Sequence, residues 1–357
     1  MKENSGININ DERAIRMQKL QELRDMGINP YPAKAERTDT MLGALTKKEH
    51  EAVAVTGRLM TKRDIGKLTF CHLQDESGNM QIVLQKDKIP ADQYELFIKK
   101  IDIGDVVGVR GTRFSTKTGE PSILVEQWTV LAKALRPLPD KFHGLQDEEI
   151  RLRKRYLDIL LDPDLHALFR RKARFWQSMR EFLIHEGFLE VETPILETTT
   201  GGADAKPFVT HHDALDIDVY LRISNGELWQ KRLMVAGFEK TFELGRQFRN
   251  EGISREHLQD YSQMEFYWAY ADYTKGMELV ERLYKHIIQA TYGKMEFTIG
   301  DFASINLGAE WGRIDYVDTI KEKTGVNILQ ASEKEIKKIL YRQTGLRRSF
   351  SMVGVSK

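Results

Sequence analysis

Cysteine is almost absent from this chain. One thiol, Cys71, in 357 residues excludes an internal disulfide and a thiolate zinc cluster. A reducing cytoplasm fits that scarcity. An excess of charge of either sign is missing too, since 54 Lys plus Arg balance 53 Asp plus Glu. Net charge therefore argues for no partner, and any nucleic-acid affinity must come from local patches. No apolar run reaches the ~18 residues that a membrane span needs, and the opening MKENSGININ holds no apolar signal core. Internal repeats, low-complexity tracts and the GxxxxGK[ST] spacing of a P-loop are likewise missing. The expectation is a soluble intracellular protein with no membrane and no DNA partner. What is present suffices for real cores: 41% of residues are hydrophobic, and the length predicts about two domains.

Residues 11–26 predict a helix capped by Asn10 or Asp11, with Ile15, Leu20, Leu23 and Met26 on one face. Its charged face, with Arg13, Arg16, Lys19 and Arg24, is either solvated or an RNA contact. From residue 53 to 131 the period changes to two. Three strand patterns, a short helix over 92–100 and two further strands follow the order of an OB-fold, a five-stranded barrel used for oligonucleotides. Such barrels stack bases on exposed aromatics beside basic residues. Phe70 is the candidate platform, although a core position would explain it as well. Lys62, Arg63 and Lys67 on the preceding loop favour binding, and Gln81 and Gln85 can read base edges.

Residues 133–144 hold two prolines and a glycine and read as a linker, followed by the basic run RLRKRY at 151–156. That run is a solvated helix face or an RNA-facing hinge. The organisation expected is a helical extension over 1–50, a barrel over 51–133, a hinge over 134–163 and a second domain over 164–357. Asp162 and Pro163 open a long helix to Gly187 with an apolar stripe. A strand over 187–196 follows, placed at a sheet edge by Pro194, where a partner subunit can pack. His211 and His212 lack a further ligand at a usual metal spacing and read as structural.

The stretch FELGRQFRNEGISREHLQDYSQMEFYWAY, residues 242–270, organises the second domain. Two segments of strand character flank a polar loop, which predicts an antiparallel hairpin. Side chains two apart share a face, so Arg249 aligns with Glu251 and Glu265 with Tyr267. A cation, two carboxylates and a phenol on one surface form either a salt-bridge cluster or a cradle for a polar ligand.

FRNE at 248–251, the loop with His257, and MEFY at 264–267 resemble motif 2 of the class II aminoacyl-tRNA synthetases. GFLEVETP at 187–194 resembles motif 1, the dimer-interface helix and strand. TGGADAKPF at 200–208 and RPLPDKFHG at 136–144 resemble the lysine-specific members, and the likeness covers essentially the whole chain. The resemblance implies an α+β protein: a five-stranded OB barrel for the anticodon, then an antiparallel catalytic sheet flanked by helices. It implies ATP-dependent activation of lysine and transfer to the 3′ end of tRNA(Lys), by a cytoplasmic homodimer. Arg249, as catalytic residue, would hold the α-phosphate, a task suited to a forked guanidinium. Glu251 and His257 would contact ATP, with adenine stacked on Tyr261 where the family has phenylalanine. Gly202 and Glu227 would take the α-amino group of lysine, and Glu265 and Tyr267 its ε-ammonium. Lys62, Arg63, Phe70 and Gln81 would face the anticodon.

The family's third motif, Gly-x-Gly-x-Gly followed by an arginine that clamps the nucleotide, does not occur between Tyr270 and Lys357. The acids that hold Mg²⁺ are not found either, so no metal ligand is assigned here. The expectation is that the sequence stops inside its catalytic domain and that residues 1–357 alone do not adenylate lysine. Two alternatives stay open: a non-catalytic tRNA-binding or regulatory module, and a paralogue that lysylates a protein. The barrel argues against the second.

Overall fold

A computed structural model describes residues 9–139, 147–252, 254, 256–301 and 303–344. The chain divides into two compact units, Met1–His166 and Ala167–Lys357.

In the first unit α1 (Ile9–Asp25) and α2 (Met41–Thr46) precede five strands: β1 (Ala52–Ile65), β2 (Leu68–Gln74), β3 (Asn79–Gln85), β4 (Val106–Ser115) and β5 (Pro121–Ala132). Helix α3 (Ala91–Lys100) lies between β3 and β4. The strands close into a barrel in the order β1-β2-β3-β5-β4, with only β3 and β5 parallel. Alternation explains the closure: Cys71 and Leu73 of β2 point inward with Ile82, Leu84, Ile123 and Val125. Phe97 of α3 and Met41 of α2 plug the interior, each fully buried. Thr40 caps α2, its hydroxyl accepting from the Gly43 N–H.

The helix α1 begins at Ile9, upstream of the expected caps Asn10 and Asp11. Leu20 and Leu23 are buried as expected, whereas Ile15 and Met26 are exposed. Arg16, assigned to the charged face, is buried. Its guanidinium donates to the carbonyls of Ile103 and Ala134, which bury the charge with partners.

Two short helices, α4 (Glu148–Arg153) and α5 (Arg155–Leu161), occupy part of the expected hinge. Asp158 is buried between Arg151 and Arg155, so part of the basic run is internally paired. Residues 140–146, which include the end of the expected linker, lie outside the described residues.

Helix α6 (Pro163–His185) begins at the end of the first unit, and its remainder, from Ala167, leads to β6 (Leu189–Glu190) and β7 (Leu196–Glu197) in the second. The single strand expected over 187–196 is two fragments, because Pro194 and its neighbours make no ladder between them. Next come β8 (Val209–His212), β9 (Ile217–Leu221), α7 (Glu227–Val235), β10 (Lys240–Phe248), β11 (Asp260–Trp268) and α8 (Tyr273–Tyr292). A small hairpin, β12 (Glu296–Ile299) and β13 (Ala303–Asn306), and helices α9 (Tyr316–Thr324) and α10 (Glu333–Thr344) complete the unit. β10 pairs antiparallel with β11 and parallel with β6. The even-numbered face of the hairpin is apolar over Phe242, Leu244 and Met264 to Trp268, and polar farther along at Arg246, Asp260 and Ser262. Phe242, Leu244, Met264, Phe266 and Trp268 pack on Met179, Phe182, Leu279 and Leu283. Burying a phenylalanine as fully as Phe242 contributes about 2–3 kcal/mol. That core leaves the odd-numbered face of the hairpin free for polar work.

Candidate active site

The register of the hairpin builds the site. Thr241 opposes Tyr267, Glu243 opposes Glu265, Gly245 opposes Gln263 and Gln247 opposes Tyr261. Directly opposed residues share a face, so eight polar or small positions lie together.

At one end Arg249, Glu251, His257 and Tyr261 line a cavity of about 460 Å³. These are the four residues expected to contact ATP. The Arg249 guanidinium lies 5.7 Å from the centre of the Tyr261 ring, and its Nε donates to the Ile223 carbonyl at 3.3 Å. Among the described residues its other nitrogens have no hydrogen-bond partner, which suits them to an anionic oxygen. His257 Nδ1 pairs with Ser254 Oγ at 2.7 Å, which fixes the ring at the rim.

At the other end Tyr267 donates to Glu265 Oε1 at 2.8 Å. Burial, then the hydrogen bond to Glu265 and the fields of Glu265 and Glu227, push the Tyr267 hydroxyl up. The phenol therefore stays a donor at ordinary pH. Gly202 adopts φ +92°. A side chain there would collide with Ser224 Oγ and the Glu227 carboxylate, so the glycine lets the loop close over the start of α7. The structure thus gathers Gly202, Glu227, Glu265 and Tyr267 on one side of the hairpin.

Beneath this surface lies a layer that the sequence reading missed. Glu243 and Glu265 are directly opposed carboxylates, which repel unless separately neutralised. Arg222 donates to Glu243 Oε1, and Thr193 donates to Glu243 through its hydroxyl at 2.6 Å and its N–H at 3.3 Å. Glu265 Oε2 accepts instead from the Asn225 N–H at 3.2 Å and from Gln263 Nε2 at 3.3 Å. Gly245 is required here, because a Cβ would occupy the place of the Arg222 guanidinium. Burial pushes the nearby Glu197 carboxyl up; Arg222 opposes the shift and Glu243 adds to it. The signal was available in the sequence: Thr241, Glu243 and Gln247 alternate with Phe242, Leu244 and Phe248.

On the barrel, Leu68, Phe70, Gln81, Val83 and Gln85 line an outer groove of about 540 Å³ with Phe114, Lys117 and Glu120. Phe70 lies on the outer face, not in the core, and Arg63 opposes it across β1 and β2. Gln81 donates to Ser122 Oγ at 2.8 Å, which leaves its amide oxygen as the free group.

Lys62 departs from expectation. Both Lys62 and Arg63 belong to β1 rather than to a loop, and the Lys62 ammonium turns inward. It donates to the carbonyls of Phe97, Ile98 and Ile101 at the C-terminal end of α3, where orphan acceptors and the helix dipole favour a cation. Burial lowers its pKa, with Asp64 pulling the other way. His211 bonds to Asp218 and Asp216 on the exposed β8–β9 hairpin. No group of three His, Cys, Asp or Glu able to hold a metal occurs among the described residues.

The fold and this hairpin have clear relatives. Residues 147–350 match the model of the class II tRNA synthetases (D, K and N), and residues 53–131 match an OB-fold nucleic acid binding domain. The chain belongs to the class II tRNA synthetase family. Within it, the chain is 45% identical to the lysine–tRNA ligase of Staphylococcus saprophyticus, over 95% of this chain and 70% of the relative. The lysine–tRNA ligase of Oceanobacillus iheyensis is 44% identical over 96% of this chain and 71% of its own length. That of Halalkalibacterium halodurans is 45% identical over 94% and 69% respectively.

Proposed function

We propose that this chain carries the lysine and nucleotide sites and the anticodon barrel of a lysine–tRNA ligase, the enzyme that joins lysine to AMP and then to the 3′ end of tRNA(Lys), while adenylation itself needs more than residues 1–357. The observation that carries the reading is the odd-numbered face of the β10–β11 hairpin. It ends in a nucleotide-sized cavity around Arg249 and Tyr261 on one side and in the Glu265–Tyr267 pair on the other. ATP supplies an electrophilic α-phosphate and a pyrophosphate leaving group. A carboxylate oxygen of lysine attacks that phosphorus and pyrophosphate departs. Arg249 neutralises the charge that grows on the phosphate, with Glu251 and His257 around the triphosphate and the base on Tyr261. Glu227 and the Gly202 loop hold the α-amino group, so the carboxylate faces the nucleotide. Glu265 and Tyr267 receive the ε-ammonium, which needs a partnered, desolvated carboxylate to offset its lost hydration.

Mg²⁺ belongs to this chemistry, but the described residues bring together no side chains that fit it. Phe70 and Gln81 in the outer groove, with Arg63 opposite Phe70 on β1, take the anticodon, by stacking and by base-edge hydrogen bonds. Lys62 supports α3 from inside. The lone buried thiol suits a cytoplasmic setting, and no helix of the described residues is long and apolar enough to cross a membrane.

Calorimetric titration with each amino acid tests the reading. Only L-lysine should bind well, and Glu265→Gln should weaken it about a hundredfold by leaving the ammonium without its charged acceptor. ATP affinity should change less than about threefold. Equal losses for lysine and ATP would remove Glu265 from the amino-acid site.

A further inference from the structure

The polarity of the hydrogen bonds around Glu265 is fully determined. A carboxylate only accepts, so Gln263 must turn its Nε2 toward Glu265. Its amide oxygen then faces Gln247, which must present its own NH₂, and the two amides are in contact. The Gln247 oxygen is left pointing elsewhere. It is buried and accepts no hydrogen bond from the described residues. The opposed position Gly245 has no side chain to brace Gln263, so the orientation of that amide rests on Gln247. Gln247 itself sits opposite Tyr261, at the nucleotide end of the hairpin.

We infer that Gln263 is a positioning residue for recognition of the substrate's distal ammonium, oriented by Gln247 through a two-amide relay. The inference rests on the reading of Glu265 as the ammonium acceptor. Tyr267 and the Asn225 N–H each hold one carboxylate oxygen. Two donors leave the carboxylate free to swing about the line joining them. The third donor, from Gln263, lies on the same strand face two residues away and removes that freedom. A preformed acceptor then meets the ammonium with little reorganisation. The relay also accepts an unpartnered buried oxygen at Gln247, a cost that a hairpin selected for stability alone would avoid by carrying apolar side chains at both positions.

Norleucine, which keeps the four side-chain carbons of lysine and lacks the ε-ammonium, isolates this contribution. The ratio of lysine to norleucine affinity measures ammonium recognition, while general damage to the site lowers both ligands together. Gln263→Met keeps the volume and removes both hydrogen bonds. It should lower lysine affinity about tenfold, ~1.4 kcal/mol, and leave norleucine within about twofold. Gln247→Met should act in the same direction and more weakly, and the double variant should lose little beyond Gln263→Met because the two act as one unit. An unchanged lysine-to-norleucine ratio in both single variants, with tight lysine binding by the parent, would overturn the relay and leave the proposed function standing. Parent protein that binds lysine and norleucine alike would overturn the reading beneath it as well.

Discussion

At the scale of single residues, the site depends on charges buried in pairs. Arg222 and Glu243 are each about 2% exposed, and their ion pair also anchors Thr193. Removing one member leaves the other buried without its counter-charge, which costs about 3–5 kcal/mol. Arg222→Met should therefore lower the unfolding free energy of the second unit by that amount. Replacing both charges by apolar side chains of similar volume should recover much of the loss. Denaturant unfolding of the two variants separates these cases. A single-variant loss below about 1 kcal/mol would show that the pair is solvated rather than buried. Part of the polar face of the hairpin was legible, because Glu265 and Tyr267 follow a period of two on β11, whereas Arg249 and Glu251 lie beyond the end of β10, where that period does not apply. Arg222 and Asn225 were not legible. They come from the segment after β9 and reach the hairpin only through tertiary packing, which no local pattern encodes.

Among the secondary elements, the barrel was the most legible part of the chain. Its alternation, turn residues and single short helix leave few other arrangements. One irregularity escaped that reading. The pairing of β1 with β2 shifts register between Leu59 and Thr61, so inward parity changes from odd to even residues. Lys62 therefore points in with Cys71, and Arg63 points out with Phe70. The fragments β6 and β7 were equally hidden, since an alternating apolar pattern does not reveal where Pro194 interrupts a ladder. The outer groove leads to an element-level expectation. Stacking on an aromatic contributes about 1–3 kcal/mol per base, so Phe70→Ala should weaken binding of a lysine-tRNA anticodon stem-loop roughly fivefold or more. Fluorescence anisotropy with the whole chain measures it, and an unchanged barrel melting transition controls for folding. Unaltered affinity in the folded variant would take Phe70 out of the interface.

For the whole molecule, the expected association and the proposed chemistry both rest on surfaces the sequence only partly announced. Leu168 and Phe169 on α6, together with Leu189, Ile195 and Leu196, each leave between 43% and 49% of their surface exposed. Apolar exposure on a helix and on neighbouring strand fragments suits a second copy of the chain. A dimer in sedimentation at micromolar concentration is the expected outcome, with Phe169→Asp shifting the population to monomer. A monomeric parent protein under those conditions would contradict this assignment. The central claim is that one hairpin face holds lysine at Glu265 and the nucleotide at Arg249, close enough for a single molecule to span both. A non-hydrolysable analogue of lysyl-adenylate tests that directly. It should bind far more tightly than lysine or ATP alone, and Glu265→Gln and Arg249→Met should each weaken it by at least about tenfold. The aspartyl counterpart should not compete. Equal binding of the lysyl and aspartyl analogues, or an affinity indifferent to both substitutions, would contradict the account.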